Sequence, residues 1–316
     1  MPKQVVLINV NYPNYDVEKR ILSPLDAQIT HVVTRDDLNA SIEAARLADA
    51  VMTRETLLPK EFIEALKQCK VIVRYGVGVD NIDLETARKR SIYVANVGDY
   101  GTETVADHAI ALMYGVARRI VQRDRDVRNG AFDIGAKEPL YSFGGKTLGV
   151  AGCGKIGRAL IKKCSCLGFD KILGYDPYVE KVDGARMTDL AELLENADVV
   201  TLHMPLTPEV KHIINRETLK KMKPNAILVN TSRGGLVKQD DLVEALEQNK
   251  IFGAGIDVYE QEPPTDARLF ALKNVIVSDH TGWYSVESLE KLQYKAAMEV
   301  ARVFRGEKPE SWVNRW

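Results

Sequence analysis

Three ionisable side chains stand where an apolar run gives way to a loop. Ile227-Leu228-Val229 leads into Thr231-Ser232-Arg233-Gly234-Gly235. Gly253–Val258 leads into Tyr259-Glu260-Gln261-Glu262-Pro263-Pro264, and Val275–Val277 leads into Ser278-Asp279-His280-Thr281-Gly282-Trp283. Runs of this kind read as buried strands of a parallel sheet. Ligands of such sheets bind beyond the carboxyl ends of the strands, so Arg233, Glu262 and His280 are expected at one edge. An arginine flanked by small residues can grip a carboxylate with two parallel hydrogen bonds. An imidazole held through one nitrogen by a carboxylate favours its protonated form near neutral pH, which makes it a general acid for a carbonyl oxygen.

A second constellation lies upstream. Thr147–Ala151 is strand-like and runs straight into Gly152-Cys153-Gly154-Lys155-Ile156-Gly157, after which Ile156, Leu160, Ile161 and Leu167 recur at roughly helical spacing. In a Gly-x-Gly-x-x-Gly turn, Gly152 permits the tight exit from the strand and Gly154 lets the backbone approach a pyrophosphate. Gly157 lets the helix pack closely, and the helix N-terminus offers its N–H groups to the phosphates. The next apolar run, Ile172–Tyr175, ends in Asp176, where a carboxylate would meet a ribose 2′-OH. This is the signature of a dinucleotide site. Asp176 followed by Pro177 favours NAD over NADP, because the carboxylate repels a 2′-phosphate and no arginine follows to accept one. A nicotinamide would supply the hydride for which His280 supplies the proton.

These groups need elements to hold them. In residues 1–100, strands are expected at Val5–Val10, Ile29–Val33, Asp49–Thr53, Val71–Arg74 and Ile92–Ala95, with helices near Leu38–Ala48, Pro59–Gln68 and Leu84–Lys89. Strands spaced by helices imply a parallel sheet. Glu103–Arg128 reads as one long connecting helix with Thr102 as its N-cap, and Asn129–Phe143 as a turn-rich arm. Alternation then resumes with strands at 147–151, 171–175, 198–202, 226–230, 253–257 and 275–277. Ser285–Arg305 is a further amphipathic helix that should return to the first region. The expected fold is α/β, with two doubly wound parallel-sheet domains: a flavodoxin-like substrate domain (1–100 plus 284–316) and a Rossmann NAD domain (101–283), the active site in a cleft between them.

Composition is consistent with this. The 316 residues are 45% hydrophobic and 28% charged with a net charge of −1, so bulk charge gives no case for nucleic acid or an anionic membrane as partner. No window approaches a membrane span, and the N-terminus reads as a strand rather than a signal peptide. Four cysteines in a chain of this length read as reduced thiols of a cytoplasmic protein. Cys153 is expected to pack rather than react. His31, His108 and His212 read as surface or helix residues, and no metal-ligand spacing is present.

With these motifs in this order, the chain resembles the D-isomer-specific 2-hydroxyacid dehydrogenase family over nearly its whole length. The resemblance implies NADH-dependent reduction of a 2-oxo acid to a D-2-hydroxy acid. Arg233 would bind and polarise the substrate, His280 would be the acid/base and Glu262 its orienting partner. The Val77 and Gly78 amides in Gly76-Val77-Gly78-Val79-Asp80-Asn81 would hold the substrate carboxylate, and Trp283 would line its pocket. Cofactor contacts implied for this chain are Val105, Gly152, Gly154, Lys155, Ile156, Gly157, Asp176, Pro177, His203, Met204, Pro205, Thr231, Ser232, Asp257 and Gly282. Within the family the sequence is similar to the subgroup of C-terminal-binding proteins and phosphoglycerate dehydrogenase-like members, which raises the alternative of an NAD(H)-sensing co-repressor. An intact Arg–Glu–His set argues for catalysis, and the residues around His280 and Val77 argue against a formate- or phosphite-type relative. Gly282 stands where many relatives carry Ala, a departure expected to alter little. A homodimer formed through residues 101–143 is also implied.

Overall fold

The computed structural model describes residues 2–35, 37–135 and 138–316. The chain divides into two compact units, Met1–Gly101 with Ser285–Trp316, and Thr102–Tyr284.

The first unit is built on β1 (Lys3–Ile8), β2 (Ala27–Val32), β3 (Ala50–Thr53), β4 (Val71–Arg74) and β5 (Tyr93–Ala95), in the order β2-β1-β3-β4-β5. All pairings are parallel. Every residue of β3 and β4 is buried, the pattern of strands covered on both faces. The order 2-1-3-4-5 is that of a flavodoxin-like doubly wound sheet. Side-chain caps start two of the covering helices. Asp37 accepts from the Ala40 N–H and Asp83 from the Thr86 N–H. Ser285 begins the helix Val286–Phe304 through a reciprocal capping box with Ser288. The end of the chain seals the sheet edge at β5: Asn314 accepts from the Val94 N–H and donates to the Ile92 carbonyl, and Ala95 pairs with Trp312. An edge strand covered in this way offers no template for further pairing.

Two readings of this region need correction. The first strand lies two residues earlier than Val5–Val10, because Lys3 and Gln4 pair with Ala27 and Gln28 although they are polar. A helix over Asp16–Leu22 is present where none was expected. Its register buries a carboxylate: Glu18 accepts from Tyr75 Oη at 2.8 Å and from Gln293 Nε2. That places a charged residue on the face where the apolar pattern would show a hydrophobe.

The second unit carries β6 (Thr147–Ala151), β7 (Lys171–Tyr175), β8 (Arg186–Met187), β9 (Val199–Leu202), β10 (Ile227–Asn230), β11 (Gly253–Ile256) and β12 (Val275–Val277). The order is β12-β11-β10-β9-β6-β7-β8, parallel throughout. The chain runs outward from β6 to β8, then returns to β9 on the other side of β6. The switch point therefore lies between β6 and β9, where an open α/β sheet binds its ligand. Apolar clusters fill both faces, one around Leu193, Leu202 and Leu228 and the other around Leu112, Leu148 and Val229. The two-residue β8 is too short to leave a sequence pattern.

The long connecting helix is broken. Thr102–Ala117 and Ile120–Arg128 are separate helices, and Thr102 is the first helical residue rather than the cap. Arg119 sits at φ +50° and lies over the Phe252 ring at 4.8 Å. This tertiary contact stops a run whose local propensity is helical throughout.

Candidate active site

At the switch point the glycine turn is shaped for close approach. Gly152 has φ +96°, a region unfavourable to side chains, and a Cβ at Gly157 would lie 2.1 Å from the Gly152 carbonyl oxygen. Gly154 borders open space and caps the helix Lys155–Cys164 without a side chain. The first-turn amides and the positive end of the helix dipole are thereby offered to an anion. Lys155 is exposed beside them and Ile156 is half-buried. Asp176, at the end of β7, accepts from the Cys153 N–H at 2.8 Å and the Tyr178 N–H at 2.9 Å, which fixes its carboxylate against the loop. Cys153 is fully buried, and burial together with the Asp176 charge pushes its thiol up to about 11, so it packs.

On the other side of the switch point, Val105 and Met204 are buried and Pro205 is exposed. The His203 ring is buried, with Nε2 on Thr201 Oγ1 at 2.8 Å, and burial pushes its pKa down to about 4. Ser232 Oγ donates to the Leu202 carbonyl. Thr231 Oγ1 is a buried hydroxyl oxygen without a partner among the described residues. A glycine cradle, a helix N-terminus, a fixed carboxylate and a buried hydroxyl without a partner among the described residues suit a dinucleotide at the strand ends.

The three ionisable groups singled out in the sequence follow β10, β11 and β12. Asn230 shapes the turn after β10: its Oδ1 accepts from the Ser232 N–H and its Nδ2 donates to the Arg233 carbonyl. Arg233 is half-buried and donates from Nη1 to the Ser232 carbonyl. Glu262 Oε1 accepts from the Tyr259 N–H at 3.1 Å, and Oε2 lies 2.7 Å from His280 Nδ1. Burial alone would raise the Glu262 pKa. The His280 hydrogen bond and charge, with the Arg233 charge behind them, take it below its ordinary value. Glu262 is therefore an anion across the neutral range. With Nδ1 bound to it, Nε2 is the nitrogen left to exchange a proton.

His280 itself has φ +56°, a left-handed conformation that costs a non-glycine residue about 1 kcal/mol. Asp257 lies beneath it, 1% exposed. Its backbone carbonyl accepts from the His280 N–H, its Oδ1 from the Thr281 N–H and its Oδ2 from the Gly282 N–H. Trp283 is half-buried, edge-on to Tyr284 with ring centroids 5.4 Å apart.

In the first unit, β4 ends at Arg74, and Gly76, Val77 and Gly78 follow after Tyr75. Among the described residues neither the Val77 nor the Gly78 N–H donates to a backbone carbonyl. The Val77 carbonyl is tied down by Asn96 Nδ2 at 2.5 Å, which holds the two amides in place.

His108 lies on the helix Thr102–Ala117, as expected, and the structure adds partners that the sequence does not show: Nε2 lies 2.9 Å from Ser278 Oγ and 3.4 Å from Asp257 Oδ1. Neither His108 nor Ser278 carries a sequence signal for this, since they are 170 positions apart. At Gly282 a Cβ would lie 2.8 Å from Asp257 Oδ2 and 3.2 Å from His108 Cδ2, so these groups pack closely on the glycine. His212, also read as surface, pairs through Nε2 with Glu260 at 2.5 Å.

The fold and this site define an NAD-dependent oxidoreductase. Residues 110–282 match the model of the NAD-binding domain of D-isomer specific 2-hydroxyacid dehydrogenases. The chain is 42% identical over 286 residues to a glyoxylate reductase of Thermococcus litoralis, covering 87% of this chain and 86% of that protein. It is 38% identical over 317 residues to a D-3-phosphoglycerate dehydrogenase of Methanocaldococcus jannaschii, covering 98% of this chain but 60% of that longer protein. Among solved structures, the TT0316 protein of Thermus thermophilus superposes with a TM-score of 0.91 at 34% identity, over 98% of this chain and 99% of that one. The chain belongs to the D-isomer specific 2-hydroxyacid dehydrogenase family. It binds NAD and interconverts 2-oxo acids and D-2-hydroxy acids.

Proposed function

We propose that Arg233, Glu262 and His280 carry out this reaction on a small 2-oxo acid. The observation that carries the assignment is the 2.7 Å contact between His280 Nδ1 and the anionic Glu262. Bound NADH supplies the hydride to the carbonyl carbon. His280 Nε2 gives its proton to the carbonyl oxygen, while Glu262 keeps the ring oriented through Nδ1. Arg233 polarises the same oxygen, and the Val77 and Gly78 amides are the groups of the first unit suited to a substrate carboxylate. Trp283 bounds the space for the substrate side chain. In the reverse direction His280 accepts the proton, so one pair serves both directions.

Thr231, Ser232, Asp257, Gly282, Val105 and the His203-Met204-Pro205 turn serve the nicotinamide half. The glycine turn, Lys155 and Ile156 serve the pyrophosphate, and Asp176 with Pro177 serves the adenosine ribose. The fixed Asp176 carboxylate favours NAD over NADP. Residues 1–100 with 284–316 form the substrate domain and 101–283 the NAD domain in this reading.

Two further points belong to the proposal. The arm after Arg128 exposes Phe132 at 83% and Ile134 at 93%, apolar surface that suits a second copy of the chain. Residues 136–137 of the arm lie outside the described residues. A homodimer follows, and a monomer by sedimentation at micromolar protein would refute it. No helix among the described residues is long and apolar enough to cross a membrane, and the free thiols fit a cytoplasmic enzyme.

The test is oxidation of NADH and of NADPH at 340 nm across 2-oxo acids from glyoxylate and hydroxypyruvate to branched and aromatic ones. Glyoxylate heads the panel on the similarity to glyoxylate reductases. Turnover with NADH that Arg233→Ala loses supports the assignment. Tight NADH binding without turnover on any member favours the sensing alternative instead.

A further inference from the structure

The turn that carries His280 is built around an internal anion. His280 adopts a left-handed backbone, and the next two amides, Thr281 and Gly282, consequently point the same way. Successive N–H groups in this arrangement form a concavity that binds an anion. Here the anion is Asp257, with the Thr281 N–H on Oδ1 at 3.0 Å and the Gly282 N–H on Oδ2 at 2.9 Å. Ser278 Oγ donates to Oδ1 at 2.6 Å. His108 reaches in from the helix Thr102–Ala117 to Ser278 Oγ at 2.9 Å. The carboxylate is 2% exposed and has four polar neighbours in the protein. A Cβ at Gly282 would lie 2.8 Å from Asp257 Oδ2 and 3.2 Å from His108 Cδ2, so the cluster packs closely on this glycine.

We propose that His108, Ser278 and the buried Asp257 form a clasp that positions His280, holding its left-handed backbone so that the imidazole meets Glu262. Asp257 then acts through the turn, and His108 and Ser278 act through Asp257. None of the three needs to touch substrate. The proposal rests on His280 being the proton donor, and it adds a positioning role for Asp257 to the cofactor-facing one already proposed.

The experiment compares the whole enzyme with His108→Leu, His108→Gln and Ser278→Ala. Three quantities are read: kcat at saturating NADH, the Kd of NADH by fluorescence, and the Kd of ADP-ribose, which lacks the nicotinamide. The clasp predicts that His108→Leu and Ser278→Ala lower kcat about tenfold with both Kd values within twofold of wild type. His108→Gln, which keeps a donor, recovers most of the rate. An unchanged kcat overturns the proposal. So does a tenfold weaker NADH with ADP-ribose unaltered, because the cluster would then be reading the nicotinamide directly. If His108→Leu weakens both ligands, its fold is damaged, and Ser278→Ala decides by the same criteria. A readout independent of turnover is the low-field proton NMR signal of His280 Nδ1–H bonded to Glu262, assigned by its loss in Glu262→Gln. The signal should shift or broaden in Ser278→Ala, and an unmoved signal contradicts the clasp. A wild type that reduces no 2-oxo acid but loses this signal in Ser278→Ala would refute the catalytic reading and leave the clasp standing.

Discussion

His203 makes the folding stability of the second unit depend on pH in a way that can be calculated. Its ring is buried, and burial pushes its pKa down to about 4, against about 6.5 in an unfolded chain. Above pH 6.5 neither state holds the proton. Below it, the unfolded chain takes up a proton that the folded chain refuses, so stability falls as the pH drops and levels off below about 4. At pH 5 the loss is about 2 kcal/mol, and the full span of some 2.5 units approaches about 3 kcal/mol at 1.36 kcal/mol per unit. The perturbation is His203→Gln, which removes the titrating group and retains a donor for Thr201 Oγ1. Of the three tryptophans, only Trp283 lies in this unit. Urea unfolding at pH 7.5 and pH 5, followed by its fluorescence in a Trp312→Phe, Trp316→Phe background, reports the unit alone. Wild type should lose about 2 kcal/mol more than His203→Gln between the two pH values. Equal losses would refute the reasoning, since the imidazole would then titrate alike in both states.

The remaining predictions concern the site. Glu262→Gln removes the anion on His280 Nδ1, and a hydrogen bond to a charged group is worth about 1.5–3 kcal/mol, so kcat should fall about 10–100-fold in steady-state assays. Asp176→Ala should weaken NADH by about tenfold and narrow its advantage over NADPH, as measured by the ratio of the two kcat/KM values.

The dinucleotide unit was largely legible because its constraints are local. Gly152, Gly154 and Gly157 answer to the geometry of one turn, and β6, β9 and β10 are short, mostly apolar runs, as strands buried on both faces are. In the first unit, the helix expected over Ser285–Arg305 is present as Val286–Phe304, with Ser285 as its cap. What was not legible depends on partners distant in sequence. Arg119 breaks a helical run because Phe252 receives its guanidinium. Glu18 is buried because Tyr75 and Gln293 meet it there. His108 occupies a helix position that a solvated histidine would fill equally well, and only the fold brings Ser278 and Asp257 to it. The effect of Gly282 follows from the same juxtaposition, so a sequence pattern could record the glycine without revealing what it makes room for.

The most direct test of the central claim is His280→Ala, assayed for reduction of the best 2-oxo acid and for NADH binding in the same preparation. Loss of a positioned general acid predicts a fall in kcat of about 10²–10⁴-fold, with the Kd of NADH unchanged. A variant that binds NADH normally and keeps its turnover within a few-fold of wild type would contradict the account.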